Sequence, residues 1–240
     1  MQSSVVSQSK SEEPPSLRGP QHFDELEPAV QSALLQAGQF RSFAAGQPIF
    51  EPGSAHSETH VILQGLVRTF YAAYSGREVT LNFWADGDVV GGPDFFGGGN
   101  HVWGGVAVRP TRTLSIAGPK FEALARTLPS VAVWIAFVSM FKLKWLSLLF
   151  QLHGTECVSQ RLPHLLVMLS ELYGMQEGSN VVIRHPLSQS DLATLLGTSR
   201  QWTNKAMGDL RQRGLLRIDD GRIIILDLPA LRVIASLSSG

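Results

Sequence analysis

Cysteine is almost absent from this 240-residue sequence, in which Cys157 is the only one. A disulfide within the chain needs two thiols, so that class of stabilisation is excluded. Zinc sites built from cysteine alone and cysteine-ligated four-iron clusters are excluded for the same reason, since they need several thiolates. This cysteine usage is typical of a protein of the reducing cytoplasm.

The sequence also lacks an excess of charge of either sign. Its 20 Lys and Arg residues balance its 20 Asp and Glu residues. A polycationic coat that binds nucleic acid through net charge is therefore excluded, whereas a local basic patch is not. Hydrophobic residues make up 44% of the chain, enough to form a core, which excludes disorder of the whole chain.

Targeting and membrane signals are missing as well. The first 20 residues have no basic region followed by an apolar stretch, as a secretory signal would. Their Ser, Gln, Glu and Pro content predicts a flexible tail over residues 1–21. The apolar run 131–152 contains Lys142 and Lys144, and central lysines cost about 2.5–3.5 kcal/mol each on membrane insertion. We therefore expect a buried helix and no membrane contact.

Common catalytic motifs are absent. We find no P-loop, no dinucleotide fingerprint, no GxSxG and no HExxH. His101 and Asp94 are near each other in sequence, but no nucleophile is placed with them. The sequence therefore predicts that the protein is not an enzyme.

Several short β-rich runs are present between residues 41 and 118. Glycine and proline separate them, a pattern typical of a small antiparallel sandwich or barrel. The predicted strands are 48–50, 59–63, 66–71, 79–83, 106–108 and 113–116. Helical spacing marks 22–40 and 120–126, and a long apolar helix is predicted from Pro129. A second helix is predicted over 158–173, followed by a loop over 174–180.

Two short helices with a glycine between them are predicted near the C-terminus. Ser188 can cap a helix over 189–196, Gly197 can end it in the left-handed conformation, and Ser199 can cap a helix that reaches Arg213. The residues expected to pack the two helices together are Leu192, Leu195, Leu196, Trp202, Ala206 and Leu210. This is the layout of a helix-turn-helix, whose second helix enters the DNA major groove.

Charge and the following residues support DNA binding. Residues 197–217 hold five cations against one acid, Asp209. The neutral total charge hides this patch. Two strands joined at Asp220–Gly221 are then predicted to form a hairpin wing.

These segments resemble the CRP/FNR family of bacterial transcription regulators. GTSRQWTNKAMGDLRQRGLL resembles the recognition helix of the family, and VSQRLPHLLVMLSEL the helix that opens its DNA-binding domain. FAAGQPIFEPG and VILQGLVRTFYAAYSGREVTLNFWADGDVVG resemble its β-roll sensor. The resemblance implies an α+β fold with an antiparallel β-roll or jelly-roll sensor, a long dimerisation helix and a winged helix-turn-helix.

Domain limits and partners follow from the resemblance. We expect a tail over 1–21, a sensor domain over 22–128, a dimerisation helix over 129–156 and a DNA-binding domain over 157–240. The expected dimer contacts are Trp134, Phe137, Phe141, Leu148 and Leu152. The expected partners are a second copy of the chain, double-stranded DNA with an inverted repeat, and RNA polymerase, with activation as the expected sign of regulation.

The resemblance also implies which residues meet DNA. Arg200, Gln201 and Lys205 fall at the base-reading positions, with Asn204 beside them. The residues expected at phosphates or close to the DNA are Ser188, Thr198, Ser199, Arg211 and Arg213.

One part departs from the cAMP-binding members of the family. They carry a Gly-Glu stretch whose glutamate takes the ribose and an Arg-Ser/Thr pair whose arginine takes the phosphate. Here Gly92 replaces the glutamate, and Val102 and Trp103 fall where the pair would be. Since a phosphate needs fixed donors and positive charge, we expect that cAMP does not bind. The oxygen-sensing members need a set of cysteines that this chain lacks.

A small aromatic or acyl molecule is the effector that the sequence favours, bound in the β-roll next to the long helix. The residues expected to line its site are Phe83, Trp84, Phe95, Phe96, His101, Trp103, Trp145, Leu146, Ser147 and Phe150. A haem-based gas sensor remains an alternative, with the candidate axial ligands His56, His60, His101, His153 and Cys157. Thiol redox control through Cys157, which we expect to be buried, and a constitutive regulator without a small effector also remain open. No metal site is predicted.

Overall fold

The computed structural model describes residues 22–236, apart from Ser75, Arg77 and His185. The tail predicted over 1–21 lies outside the described residues. The strands are β1 Gln39–Phe43, β2 Pro48–Phe50, β3 Glu58–Gln64, β4 Leu66–Ala72, β5 Glu78–Ala85, β6 Val89–Val90, β7 Gly104–Ala107, β8 Thr111–Ala117, β9 Gly174–Glu177, β10 Asn180–Ile183, β11 Leu216–Asp219 and β12 Arg222–Ile225. The α-helices are α1 Pro28–Ala37, α2 Gly118–Thr127, α3 Pro129–Thr155, α4 Val158–Tyr173, α5 Gln189–Leu196, α6 Arg200–Gln212 and α7 Leu228–Ser236.

The N-terminal half is a sandwich of two antiparallel four-stranded sheets. One sheet has the strand order β1-β8-β3-β6 and the other β2-β7-β4-β5. The predicted antiparallel β-rich sensor fold is confirmed, and all six predicted strands are present. The sequence reading missed β1, which pairs along its whole length with β8, and the two-residue β6, which pairs with β3.

The long helix α3 begins at Pro129, as predicted, and is buried along one face. That face joins two hydrophobic cores of the chain. Its first half packs with α1, α2 and β8, and its second half packs with β4, β5 and α4. Three of the expected dimer contacts, Trp134, Phe141 and Leu152, belong to these cores and are 0%, 7% and 3% exposed. That assignment is corrected, because side chains buried inside their own chain have no surface left for a partner.

The opposite face of α3 carries an apolar stripe that we call the seam. Its members recur at alternating steps of three and four residues and are all exposed: Val133, Ala136, Met140, Leu143, Ser147, Phe150 and Gly154. Leu143 is 68% and Phe150 81% exposed. Of the other two expected dimer contacts, Phe137 is exposed beside the seam and Leu148 is half-buried.

Two polar groups on the buried face attach α3 to the sheets. The Trp145 indole N–H donates to the Leu81 carbonyl at 2.7 Å, and the Lys142 ammonium donates to the Val89 carbonyl at 2.7 Å. By length and composition α3 could span a membrane. Its attachment to the sandwich agrees instead with the predicted buried helix.

The C-terminal part contains α4 to α7 and a four-stranded sheet of order β11-β12-β10-β9. The helix predicted over 158–173 is α4. The segment after it is not a loop, as predicted, but the hairpin of β9 and β10, turned at Gly178 with φ +62°. Its polar first strand is fully exposed, so it lacks the apolar alternation that reveals a strand. The structure therefore confirms the order of sensor sandwich, long helix and winged helix-turn-helix.

Three histidines form a buried cluster in the sandwich. The rings of His56 and His101 meet edge to face, with centroids 4.3 Å apart, and Phe50 stacks on His101 at 4.5 Å. His60 also stacks on Phe50, at 6.1 Å, and its Nδ1 lies 2.7 Å from the Ser115 hydroxyl. All three histidines are less than 8% exposed.

Burial keeps this cluster neutral. It lowers the pKa of His60 to about 3 and that of His101 to about 4. It also lowers the pKa of His56, although the nearby Asp94 carboxylate acts in the opposite direction. Arg41 and the other two histidines disfavour a charge on His60 further.

We expect acid to destabilise the sandwich through this cluster. Below pH 6.5 these histidines bind protons in the unfolded chain but stay neutral in the folded chain. The free energy of unfolding therefore falls as the pH falls from 6.5 towards 4. Each such histidine lowers the free energy of unfolding by about 1.4 kcal/mol per pH unit in this range. His101→Phe keeps the stack on Phe50 and should flatten the fall in the free energy of unfolding between pH 7 and pH 5, measured by urea titration. His164→Phe on α4 is the control, and parallel pH profiles for native protein and His101→Phe would refute the expectation.

Candidate functional site

The two helices α5 and α6 are held by the capping residues that the sequence predicted. Ser188 Oγ accepts from the Asp191 N–H at 3.2 Å, while the Asp191 carboxylate accepts from the Ser188 N–H at 2.8 Å. Gly197 follows α5 with φ +64°, a conformation that a residue with a Cβ adopts at a cost. Ser199 Oγ then accepts from the Trp202 N–H at 3.1 Å and starts α6. The side chains of Ser188 and Ser199 are therefore already used in capping.

Helix α6 has one buried and one exposed face. The three side chains expected at bases, Arg200, Gln201 and Lys205, are exposed together with Asn204 beside them. They lie on one side of the helix, since Arg200–Asn204 and Gln201–Lys205 are four residues apart and Gln201–Asn204 three. On the inner face, Thr203, Met207 and Leu210 are buried. Trp202 and Ala206, expected to be buried, are half-buried, so the inner face is turned by about one residue from its predicted position. Leu192, Leu195 and Leu196 of α5 are fully buried, as expected.

The remaining expected DNA contacts surround this face. Arg211 and Arg213 are exposed at the end of α6. Thr198 is half-buried, and its hydroxyl lies 3.1 Å from that of Thr203. The wing turns at Asp220 and Gly221, whose φ angles of +45° and +74° suit a tight hairpin turn.

The C-terminal end of α5 is attached to the end of the long helix. His153 on α3 contacts the Leu195 carbonyl through Nε2 at 2.9 Å. Arg161 on α4 donates to the Leu196 carbonyl at 3.3 Å and to the His153 carbonyl at 3.3 Å. These contacts satisfy carbonyls that a helix end leaves without a partner. They also fix the helix-turn-helix directly to α3.

A second candidate site is a small cavity between the sandwich and α3, which we call the sensor cavity. Its volume is about 30 Å³. It is lined by Thr69, Leu81, Asn82, Trp84, Trp103, Lys142, Trp145 and Leu146. Four of the ten expected effector residues, Trp84, Trp103, Trp145 and Leu146, are therefore brought together.

Lys142 gives this cavity a half-buried positive charge. Its ammonium lies 4.4 Å from the centroid of the Trp84 ring and 5.5 Å from that of Phe95. Burial lowers the pKa of Lys142 to about 8, and the Asp88 carboxylate acts in the opposite direction. From the sequence, Lys142 indicated only that α3 does not span a membrane. A lysine inside an apolar run is nevertheless a signal for a positive charge held against the core.

The other six expected effector residues do not line the sensor cavity. Phe83 and Phe95 are buried in the two hydrophobic cores, and His101 belongs to the histidine cluster. Phe96 is 41% exposed and packs against Phe121 on α2. Ser147 and Phe150 face outward as members of the seam. For these six residues the predicted lining is corrected, because neighbours in sequence point to different sides of their strand, loop or helix.

The positions of the lost cAMP signature are filled in another way. A Cβ on Gly92 would come within 2.9 Å of the Phe95 ring, so that ring occupies the space of a side chain at 92. Val102 is 57% exposed, and Trp103 presents an indole to the sensor cavity. These positions offer neither a carboxylate for a ribose nor a guanidinium for a phosphate.

The alternative ligands for haem or redox control are placed apart from the sensor cavity. His60 and His153 already have polar contacts, with Ser115 and with the Leu195 carbonyl. Cys157 precedes α4 and is exposed, which corrects the expectation of a buried thiol; its Sγ lies 3.0 Å from Ser159 Oγ. The cavities of about 30, 160 and 410 Å³ in the described part of the chain have no histidine in their linings.

One buried hydrogen bond connects the sensor cavity to the DNA-binding part. The Asn82 side-chain amide on β5 donates to the Tyr173 hydroxyl at the end of α4, at 2.9 Å. Asn82 lines the cavity, and both residues are less than 5% exposed. The ring of Tyr173 also packs edge to face on Phe141 and Trp145 of α3.

Known proteins with the same two parts match this chain. A family model described as Cyclic nucleotide-binding domain matches residues 40–127, and one described as Crp-like helix-turn-helix domain matches residues 160–234. Together they cover more than half of the chain.

Relatives and solved structures agree with these matches. A CRP-like cAMP-activated global transcriptional regulator of Mycobacterium tuberculosis is 27% identical over 85% of this chain and 92% of its own length. The Cyclic AMP receptor protein of Thermus thermophilus is 28% identical over 91% and 98%. The solved structure of a CooA mutant from Carboxydothermus hydrogenoformans shares the fold, with a TM-score of 0.74 at 19% identity over 92% of this chain and 99% of that one. With its β-sandwich sensor, long helix and winged helix-turn-helix, the chain belongs to the CRP/FNR family of transcription regulators.

Proposed function

We propose that this protein is a dimeric, sequence-specific transcriptional activator controlled by a small organic effector other than cAMP. The observation that carries the proposal is the exposed face of α6, where Arg200, Gln201, Asn204 and Lys205 follow a capped glycine turn. The proposed partners are an inverted-repeat DNA site, a second copy of the chain and RNA polymerase. A reducing cytoplasm is the proposed location, and no enzymatic activity is proposed.

DNA reading is assigned from the chemistry of the exposed face. Arg200 can bind guanine O6 and N7 together, which is worth about 1–3 kcal/mol of discrimination. Gln201 suits adenine, whereas the family commonly has glutamate at this position, which accepts from cytosine. Arg211 and Arg213 are assigned to phosphates, where they add affinity and salt dependence. The half-site should therefore keep a guanine under Arg200 and differ from the family consensus beside it.

Dimerisation is assigned to the seam of α3. Its alternating steps of three and four residues are those of a coiled-coil contact between two helices. Burial of residues such as Leu143 and Phe150 against a second copy would remove a large exposed apolar surface from water. A two-fold dimer then presents two copies of α6 to an inverted repeat.

The sensor cavity favours an organic acid as effector. Three indoles line it, which suits an aromatic or acyl group, and because its volume is about 30 Å³ these indoles must move apart to admit such a ligand. The Lys142 ammonium would pair with the carboxylate of such a ligand. A haem-based sensor receives less support, since histidines do not line this cavity. A constitutive regulator is the remaining alternative, and its affinity for DNA would not change when any metabolite is added.

Gln201→Glu should change the base preferred at one position of each half-site, from adenine towards cytosine. The carboxylate accepts only, so it cannot donate to adenine N7. Selection of binding sites from a random DNA pool followed by sequencing measures the change. Gln212→Glu, the same substitution at the far end of α6, should leave the profile as it is. An identical profile for Gln201→Glu and the native protein would disprove the assignment.

Leu143→Glu should convert the protein to a monomer, because it would place like charges opposite each other in the seam. Light scattering after gel filtration gives the mass. Affinity for an inverted repeat should fall by about tenfold or more, because a monomer binds one half-site with one copy of α6 instead of both half-sites with two linked copies. Val233→Glu, at a 54% exposed position on α7, is the matched control. A Leu143→Glu protein that remains a dimer would exclude the seam as the interface.

Lys142→Met should abolish binding of aromatic carboxylates. Benzoate or phenylacetate should raise the unfolding temperature of the native protein and quench its indole fluorescence. The neutral analogue benzamide should have little effect, because it lacks the charge that pairs with the ammonium. Lys144→Met, two residues along α3, is the control. Equal binding of benzamide, or a micromolar Kd for cAMP by calorimetry, would contradict the proposed site.

A further inference from the structure

A second cavity, distinct from the sensor cavity, lies between the sandwich and the winged part of the chain. We call it the arginine cleft. Its volume is about 410 Å³. It is lined by Ala85, Asp86, Arg109, Met175, Arg184, Pro186 and Arg222. The first three belong to the sandwich and its turns, and the last four belong to the segment that follows α4.

The charge of this lining is strongly one-sided in an otherwise neutral chain. Three guanidinium groups face one carboxylate, that of Asp86. Asp86 is already occupied, because its Oδ1 accepts from the Gly65 N–H at 2.8 Å. Three like charges around one cavity repel each other, so an anion between them would be stabilising.

The donors of the three arginines are largely unused within the described residues. Arg109 donates one N–H to the Gly65 carbonyl at 3.1 Å, and Arg184 has the Asp24 carboxylate at 3.6 Å. In the described part of the chain, Arg222 has neither a side-chain hydrogen bond nor an ion pair. Each guanidinium carries five N–H donors, so most of them remain available for a ligand.

We propose that the arginine cleft binds a phosphorylated small molecule of nucleotide size. Guanidinium groups match phosphate oxygens in pairs, and three of them suit two phosphoryl groups or more. The volume falls in the usual range of about 300–1,000 Å³ for organic ligands and is large for an inorganic ion. Ala85, Met175 and Pro186 supply an apolar wall for the organic part.

Such a ligand would join the sensor to the DNA-binding part. Arg109 approaches from the turn between β7 and β8, whereas Arg222 is the first residue of the second wing strand. A phosphorylated ligand held by both would stabilise the arrangement in which the wing faces the sandwich. This binding does not depend on the proposed organic effector, since Lys142 and the indoles lie in a different cavity.

Calorimetric titration of the full-length protein with ADP and, separately, with inorganic pyrophosphate tests the proposal. We expect ADP to bind once per chain and to raise the unfolding temperature. Arg109→Gln and Arg222→Gln should each weaken binding by about tenfold or more, and Arg217→Gln, on the other wing strand and outside the lining, should not. Lys142→Met should bind ADP like the native protein. Tighter binding of ADP than of pyrophosphate would support an organic ligand.

Three results would overturn the proposal. The first is no binding of either probe up to about 1 mM. The second is binding that Arg109→Gln and Arg222→Gln leave unchanged, which would place it elsewhere. The third is equal or tighter binding of pyrophosphate, which would point to a site for inorganic phosphate. Far-ultraviolet circular dichroism of each variant shows that a loss of binding is not a loss of fold.

Discussion

The attachment of α3 to the sandwich is the constraint on which the rest of the structure depends. Trp145 is completely buried and donates to a backbone carbonyl of β5, while Lys142 donates to one of β6. Loss of a buried tryptophan side chain costs about 3–5 kcal/mol in other proteins. Because Trp145 and Lys142 fix how α3 is rotated about its axis, they decide which side chains line the sensor cavity and which form the seam.

Three tasks are thereby divided over the circumference of one helix. One face completes the cores of its own chain, a narrow sector at Lys142, Trp145 and Leu146 closes the sensor cavity, and the seam stays exposed. The end of the same helix contacts α5 through His153. A shift of α3 would therefore change the positions of the cavity wall, the seam and the helix-turn-helix together, because packed elements move as units.

The sequence predicted best what is encoded locally. The ends of both helices of the helix-turn-helix could be placed because Ser188, Gly197 and Ser199 are signals that act within one turn of helix. The faces of α3 could not be assigned, since it is apolar on nearly all sides and offers no contrast between inside and outside. Six of the ten predicted effector residues lie away from the sensor cavity for a related reason. Nearness in sequence between Phe95, Phe96 and His101 says nothing about which way a glycine-rich loop turns each side chain.

The buried bond between Asn82 and Tyr173 has a thermodynamic consequence. It joins the wall of the sensor cavity to the helix that begins the DNA-binding part, so a ligand that displaced Asn82 would also change the free energy of the position that this helix takes. Coupling of this kind is reciprocal: the factor by which a ligand changes affinity for DNA equals the factor by which DNA changes affinity for the ligand. For the proposed effector, binding to DNA would therefore change the affinity for the ligand by that same factor, and the ligand concentration needed for half-occupancy would differ between free and DNA-bound protein.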